Sequence, residues 1–184
     1  IADELYFICE NGALVFDPRG DVIAKSVMDR EPALELARDI LAFGPAEVLI
    51  SGENMSYILK KTGRILPIVR DGLRNNVTCV HSTDEIPEQI VKVSAFCPER
   101  IEKLRERLCA KWEGQFQGAI AGAVWLDFSA LDSDKGQALV HLCRHMGILP
   151  ENVAAFGDNY NDLPILRIVG RPYLMRSAAE ALRK

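Results

Sequence analysis

The sequence predicts an α/β protein: a doubly wound core, incomplete at its N-terminal end, with an α+β unit inserted into it. Three observations predict this. Each end of the chain holds a short all-apolar run, Leu5-Tyr6-Phe7-Ile8-Cys9 and Val153-Ala154-Ala155-Phe156, of the kind that forms a strand buried on both faces of a parallel sheet. From Ser133 onward these runs alternate with helical patterns in the order helix, strand, helix, strand. The stretch between mixes hairpin and helix signals in no βαβ order. The expected division is a core of residues 1–17 and 124–184, with 18–123 inserted.

The elements follow in order. The run at Leu5 ends at the turn signal Glu10-Asn11-Gly12. Ala13 to Phe16 and Val22 to Ala24, around Asp17-Pro18-Arg19-Gly20, read as a hairpin. Glu31 to Phe43 reads as a helix with Pro32 in its first turn, Leu34, Ala37, Ile40 and Leu41 on one face, and Gly44-Pro45 as its stop. Glu47 to Ile50 is a strand. Asn54 to Val80 is ambiguous between short helices and strands. Pro87 to Ile90 reads as a short helical turn and Ile90 to Phe96 as a strand. Pro98 to Trp112 is the clearest helix, with Ile101, Leu104, Leu108 and Trp112 at helical spacing. Gly118 to Phe128 holds one or two strands. A helix from about Asp134 to Met146 ends at Gly147, Val153 to Phe156 is a strand, Asp162 to Val169 a helix, and Tyr173 to Met175 a last strand.

Composition narrows the function classes. The 184 residues are 48% apolar and 26% charged, a globular mix, and the net charge of −4 argues against a nucleic-acid partner. It leaves room for a small anionic substrate, since local cations outweigh a weak global charge. No apolar run approaches the about 20 residues that span a bilayer, so no membrane partner is expected. The five cysteines, Cys9, Cys79, Cys97, Cys109 and Cys143, form no C-x-x-C pair and read as reduced thiols of a cytoplasmic protein. The chain opens at Ile1, almost directly in a strand, which points to further chain upstream.

The strongest chemical signal is Gly157-Asp158-Asn159-Tyr160-Asn161-Asp162, after an apolar strand and before a helix. Ligands of open α/β sheets bind beyond the C-terminal ends of the strands. Two carboxylates four residues apart can converge there on one cation, and carboxylate oxygens suit magnesium. The new helix is expected to point free N–H groups at the site. Taken alone, the same residues describe an ordinary Asx helix cap. Asp134-Lys135-Gly136 is the second signal, because a Lys at a helix N-terminus opposes the helix dipole and a phosphate would offset this. Glu10-Asn11-Gly12-Ala13 is the third, and alone only a turn.

In this order the three signals resemble the Cof-type branch of the haloacid dehalogenase-like superfamily, the sugar phosphatases with a type IIB cap. Asn11-Gly12-Ala13 closes a core strand and leads to the cap. Lys135-Gly136 opens a helix about two dozen residues before the Gly-Asp loop, and Gly157-Asp158-x-x-Asn161-Asp162 follows. The resemblance covers nearly the whole chain. It implies a Rossmann-like core and magnesium-dependent hydrolysis of phosphomonoesters through an aspartyl-phosphate, with small phosphorylated metabolites such as sugar phosphates as substrates. Asp158 and Asp162 would serve the metal, and Asp162 would also orient Lys135. Lys135 would neutralise the phosphoryl oxygens, while Asn161 and Asn11 would contact phosphate or substrate.

The family's Asp-x-Asp-Gly nucleophile motif does not occur in these residues. Asp132-Ser133-Asp134 has the spacing, but Lys135 follows it and no apolar strand precedes it, so Asp134 reads as a helix cap. The nucleophile is therefore expected upstream of residue 1, and residues 1–184 alone are expected to be inactive. Arg176-Ser177-Ala178 follows Met175 where the family has Asn-Ala. The alternatives are a non-catalytic magnesium- or phosphate-binding relative, and a phosphomutase-like phosphoryl transferase. Asn54, Tyr57, Lys60, Lys61 and Arg64 are polar positions of the inserted unit, best read as solvated surface.

Overall fold

A computed structural model describes residues 4–59, 63–178 and 180–183. Lys60 and Lys61 lie outside the described residues. In chain order, the first segment holds β1 (Phe7–Cys9), β2 (Leu14–Phe16) and β3 (Val22–Lys25). Next come α1 (Arg30–Leu41), β4 (Glu47–Ser51), β5 (Ser56–Ile58), the single turn α2 (Ile65–Pro67), β6 (Val77–Cys79), β7 (Lys92–Phe96), α3 (Ile101–Trp112), β8 (Phe116–Ala121) and β9 (Trp125–Ala130). The last segment holds α4 (Lys135–Met146), β10 (Ala154–Gly157), α5 (Leu163–Ile168) and β11 (Arg171–Leu174).

The chain divides into a unit of residues 1–26 and 132–184 and a unit of residues 27–131. The crossings thus fall after Ser26 and Leu131, where the sequence placed them at 17 and 123. Strand pairing explains both shifts. Strand β3 pairs antiparallel with β2, and Ser26 N–H donates to the Ala13 carbonyl at 2.8 Å, so the hairpin stays with the first unit. Strand β9 pairs with both β7 and β8, so it stays with the second.

The 27–131 unit is a six-stranded sheet in the order β6-β5-β4-β7-β9-β8. Period-2 alternation assigns its two faces. Val48, Ile50, Val93, Ala95, Leu126 and Phe128 share a core with Leu36 and Ile40 of α1 and Leu104 and Leu108 of α3. On the opposite face Leu49, Ile58 and Phe96 pack with Ile65 and Val69. The expected helical turn at Pro87 to Ile90 is not formed; the turn lies earlier, at Thr83–Glu85, where the Ser82 hydroxyl accepts from Asp84 N–H. The ambiguous stretch before Val80 resolves into β5, α2 with the wider turn that follows it, and β6. Tyr57 is buried in the core rather than solvated, and Arg64 is tied to Glu47, Glu99 and the Pro45 carbonyl.

In the other unit, β10 and β11 form a parallel pair and β1-β2-β3 an antiparallel sheet. Leu139 and Cys143 of α4 pack with Ala155, Val169 and the partly buried Ile8, Leu166 and Ile168. Two expectations are corrected here. Strand β1 is not part of a parallel sheet but pairs antiparallel with β2. Neither apolar run is buried on both faces: Phe7 is 50% exposed and Phe156 68%. The reason lies in the pairing. Among the described residues β1 is bonded only to β2 and β10 only to β11, so each run has a neighbour along one edge.

Both tryptophans, Trp112 and Trp125, lie in the 27–131 unit, so their fluorescence reports its unfolding. Phe128→Ala removes a fully buried ring from the sheet–helix interface. It should lower the stability of this unit by about 3–5 kcal/mol in urea denaturation; a loss below 1 kcal/mol would contradict the packing described.

Candidate functional site

The site lies at the C-terminal end of β10. Asn159 and Asp162 shape the loop there by reciprocal capping of the turn Tyr160–Asp162. The Asn159 side chain accepts from Tyr160 N–H at 2.8 Å. Asp162 Oδ2 accepts from the N–H groups of Asp158 at 2.9 Å and Asn159 at 3.1 Å. The helical turn at this loop was expected to offer free N–H groups to an anion. Instead the N–H groups of Asp158, Asn159, Tyr160 and Asp162 are bonded within the loop.

The other Asp162 oxygen, Oδ1, accepts from Lys135 Nζ at 2.5 Å. Lys135 is the first residue of α4, whose N-terminus is capped by the Asp134 carboxylate; Oδ1 of Asp134 accepts from Gly136 N–H at 2.7 Å and Gln137 N–H at 2.9 Å. The cap expected at Asp134 is therefore present. Gly136 lets α4 meet α5 closely: a Cβ there would stand 2.8 Å from the Pro164 carbonyl oxygen. A side chain at this position would push Lys135 away from the loop it bonds.

Asp162 is buried, which by itself raises its carboxyl pKa. The Lys135 hydrogen bond, the two N–H donors and the Lys135 charge outweigh that cost and hold the carboxyl below the ordinary aspartate range. Asp162 is thus ionised and fully engaged. Asp158, by contrast, is exposed, and its carboxylate has no hydrogen-bond or ion-pair partner among the described residues.

The donor set can be tested against magnesium. Among the described residues no group of three or more Asp, Glu, His or Cys is placed to hold a metal ion. Magnesium does not require a protein cage: it is held by one or two carboxylates with waters and phosphate oxygens. The Asp158 carboxylate fits that role as a single protein ligand. Both Asp162 oxygens already have donors, which suits the orienting role expected of it better than direct ligation. Asn161 and Asn11 are joined, Asn161 Nδ2 donating to Asn11 Oδ1 at 3.0 Å. Lys135, Asp158, Asp162, Asn161 and Asn11 all lie in the unit of residues 1–26 and 132–184. The Asx cap that the sequence allowed at this loop is present at Asn159, whose spacing to Asp162 is that of a capping box.

A family model for haloacid dehalogenase-like hydrolases matches residues 1–184. The chain belongs to this family. It is 23% identical over 183 residues to the 5-amino-6-(5-phospho-D-ribitylamino)uracil phosphatase of Escherichia coli (strain K12), covering 99% of this chain and 67% of that one. It is 27% identical over 192 residues to the HMP-PP phosphatase of Enterobacter sp. (strain 638), covering 97% and 65%. The chain thus spans about two thirds of the length of these relatives. Among solved structures, the subclass IIB sugar phosphatase BT4131 superposes with a TM-score of 0.79 at 22% identity, over 97% of this chain and 66% of that one. That likeness shows a shared α/β fold.

The ion pair makes a pH prediction. A carboxyl whose folded pKa is depressed adds stability above its unfolded pKa and loses it as pH falls through the folded one. Asp162→Asn should therefore cost about 2 kcal/mol at pH 7. In calorimetry across a pH series, the gap to wild type should close as the pH drops below the ordinary aspartate range. A gap that stays constant down to the most acidic pH would rule out this account of Asp162.

Proposed function

We propose that the protein is a magnesium-dependent phosphomonoester hydrolase acting on small phosphorylated metabolites such as sugar phosphates. The observation that carries this reading is the Lys135–Asp162 ion pair beside the Asp158 carboxylate, which has no partner among the described residues, at the end of a parallel strand. A cation held by an ionised partner and a free carboxylate together suit a site for a phosphoryl group and a divalent metal. Two relatives named as phosphatases support the same class.

In this reading Lys135 neutralises the phosphoryl oxygens, and Asp162 fixes the direction of its ammonium group. Asn161 donates to phosphate or substrate. Asp158 would hold magnesium, which when bound neutralises phosphate charge and orients the transferring group. The attacking carboxylate comes from chain beyond residues 1–184. Its oxygen bonds to phosphorus as the ester P–O bond breaks and the leaving oxygen takes a proton. Water then displaces the carboxylate and releases inorganic phosphate. Most of the acceleration comes from charge neutralisation and positioning.

The test uses the protein expressed from its complete reading frame, with p-nitrophenyl phosphate as probe. Turnover should require magnesium and disappear on chelation. Lys135→Ala should lower kcat/KM about 100- to 1,000-fold, the cost typical of removing a group that stabilises transition-state charge. Asp158→Asn should raise the magnesium concentration needed for half-maximal rate. Magnesium-independent turnover, or a Lys135→Ala variant of unchanged kcat/KM, would refute the assignment. Phosphate binding without turnover would favour the non-catalytic reading.

A further inference from the structure

We infer that Asn11 is a positioning residue, which sets the Asn161 side chain and does not itself bind substrate; this rests on the function proposed above. The turn Glu10–Gly12 separates β1 from β2 and has an unusual backbone. Glu10 (φ 50°), Asn11 (φ 58°) and Gly12 (φ 109°) are three consecutive residues with positive φ. Glycine enters this region freely and asparagine at moderate cost, but glutamate rarely does. Such a conformation persists only where its surroundings hold it.

Two features of this turn lead to the site. At Gly12 the turn meets the start of α4 with no room for a side chain. A Cβ on Gly12 would stand 2.3 Å from the Asp134 carbonyl oxygen and 2.8 Å from the Lys135 nitrogen. At Asn11 the side-chain oxygen accepts from Asn161 Nδ2 at 3.0 Å, across 150 residues of sequence. One turn therefore touches the backbone that carries Lys135 and the side chain of Asn161. It acts as a spacer between the two groups assigned to the phosphate.

The hydrogen bond also fixes chemistry. A primary amide has two N–H donors and one carbonyl acceptor in a single plane. Asn11 takes one N–H of Asn161, and this fixes which way the amide faces. The other N–H and the carbonyl oxygen of Asn161 have no partner among the described residues and are left for a ligand. Without Asn11 the amide is free to rotate, and the productive orientation becomes one of several. In a preorganised site that loss falls on the chemical step more than on substrate capture.

The experiment is a double-mutant cycle on the protein from its complete reading frame, with p-nitrophenyl phosphate and saturating magnesium. Asn11→Gly is the informative variant, because glycine keeps the positive-φ backbone and removes only the side chain. It should lower kcat about tenfold, with KM within about twofold. Its thermal midpoint should match wild type. In an Asn161→Ala background the same substitution should have no further effect on kcat, because the group it positions is gone. Additive losses would show that Asn11 acts on substrate directly and would overturn the inference. An Asn11→Gly variant with wild-type kcat would also overturn it. A wild-type protein without turnover would overturn the functional reading and this inference together, whereas additive losses in an active enzyme leave that reading standing.

Discussion

One buried carboxylate organises the site. Asp162 uses one oxygen to close its own loop, through the N–H groups of Asp158 and Asn159, and the other to hold Lys135. Burial of an ionised carboxylate is costly, and only this set of donors makes it favourable. The same interaction has two results. It closes the Gly157–Asp162 loop, and it ties the Lys135 ammonium to that loop. Asp158 is left as the carboxylate with capacity to bind something else.

The neighbouring elements serve that interaction. Asp134 caps α4, so the helix starts at Lys135 and not a residue earlier or later. Gly136 allows α4 and α5 to approach. The turn at Glu10–Gly12 touches both the start of α4 and Asn161. At Gly12 and Gly136 a Cβ would stand 2.3 Å and 2.8 Å from backbone carbonyl oxygens, so neither position has room for a side chain. The 27–131 unit is built differently, as a broad sheet whose two faces each have their own apolar core. Its stability follows from ordinary burial and draws on none of the site's charged groups.

Much of this was legible in the sequence. The helices α1, α3 and α4 were readable because apolar residues at three- and four-residue spacing leave no competing pattern. The Gly157-Asp158 loop stood out as a candidate because it sits where a strand meets a helix, and Lys135 because a Lys at a helix N-terminus opposes the helix dipole. The burial of the end runs was not. Leu5 to Cys9 and Val153 to Phe156 are apolar enough for a doubly covered strand, but coverage depends on which strands lie beside them. The sequence also put the unit boundaries eight or nine residues early: the boundary at 17 cut through the β2–β3 hairpin that the turn residues marked, and the pairing of β9 with β7 has no local sign.

The order of elements, the site's residue types and the caps at Asp134 and Asn159 were determined by local sequence, since each rests on contacts within a few residues. Tertiary structure decided which sheet each strand joined, that Asp162 spends both oxygens on Lys135 and its own loop, and that Asn11 meets Asn161. Those outcomes depend on groups 27 and 150 residues apart in the chain. Periodicity and capping rules carry no information across such separations, because only packing of the whole unit brings these groups within bonding distance.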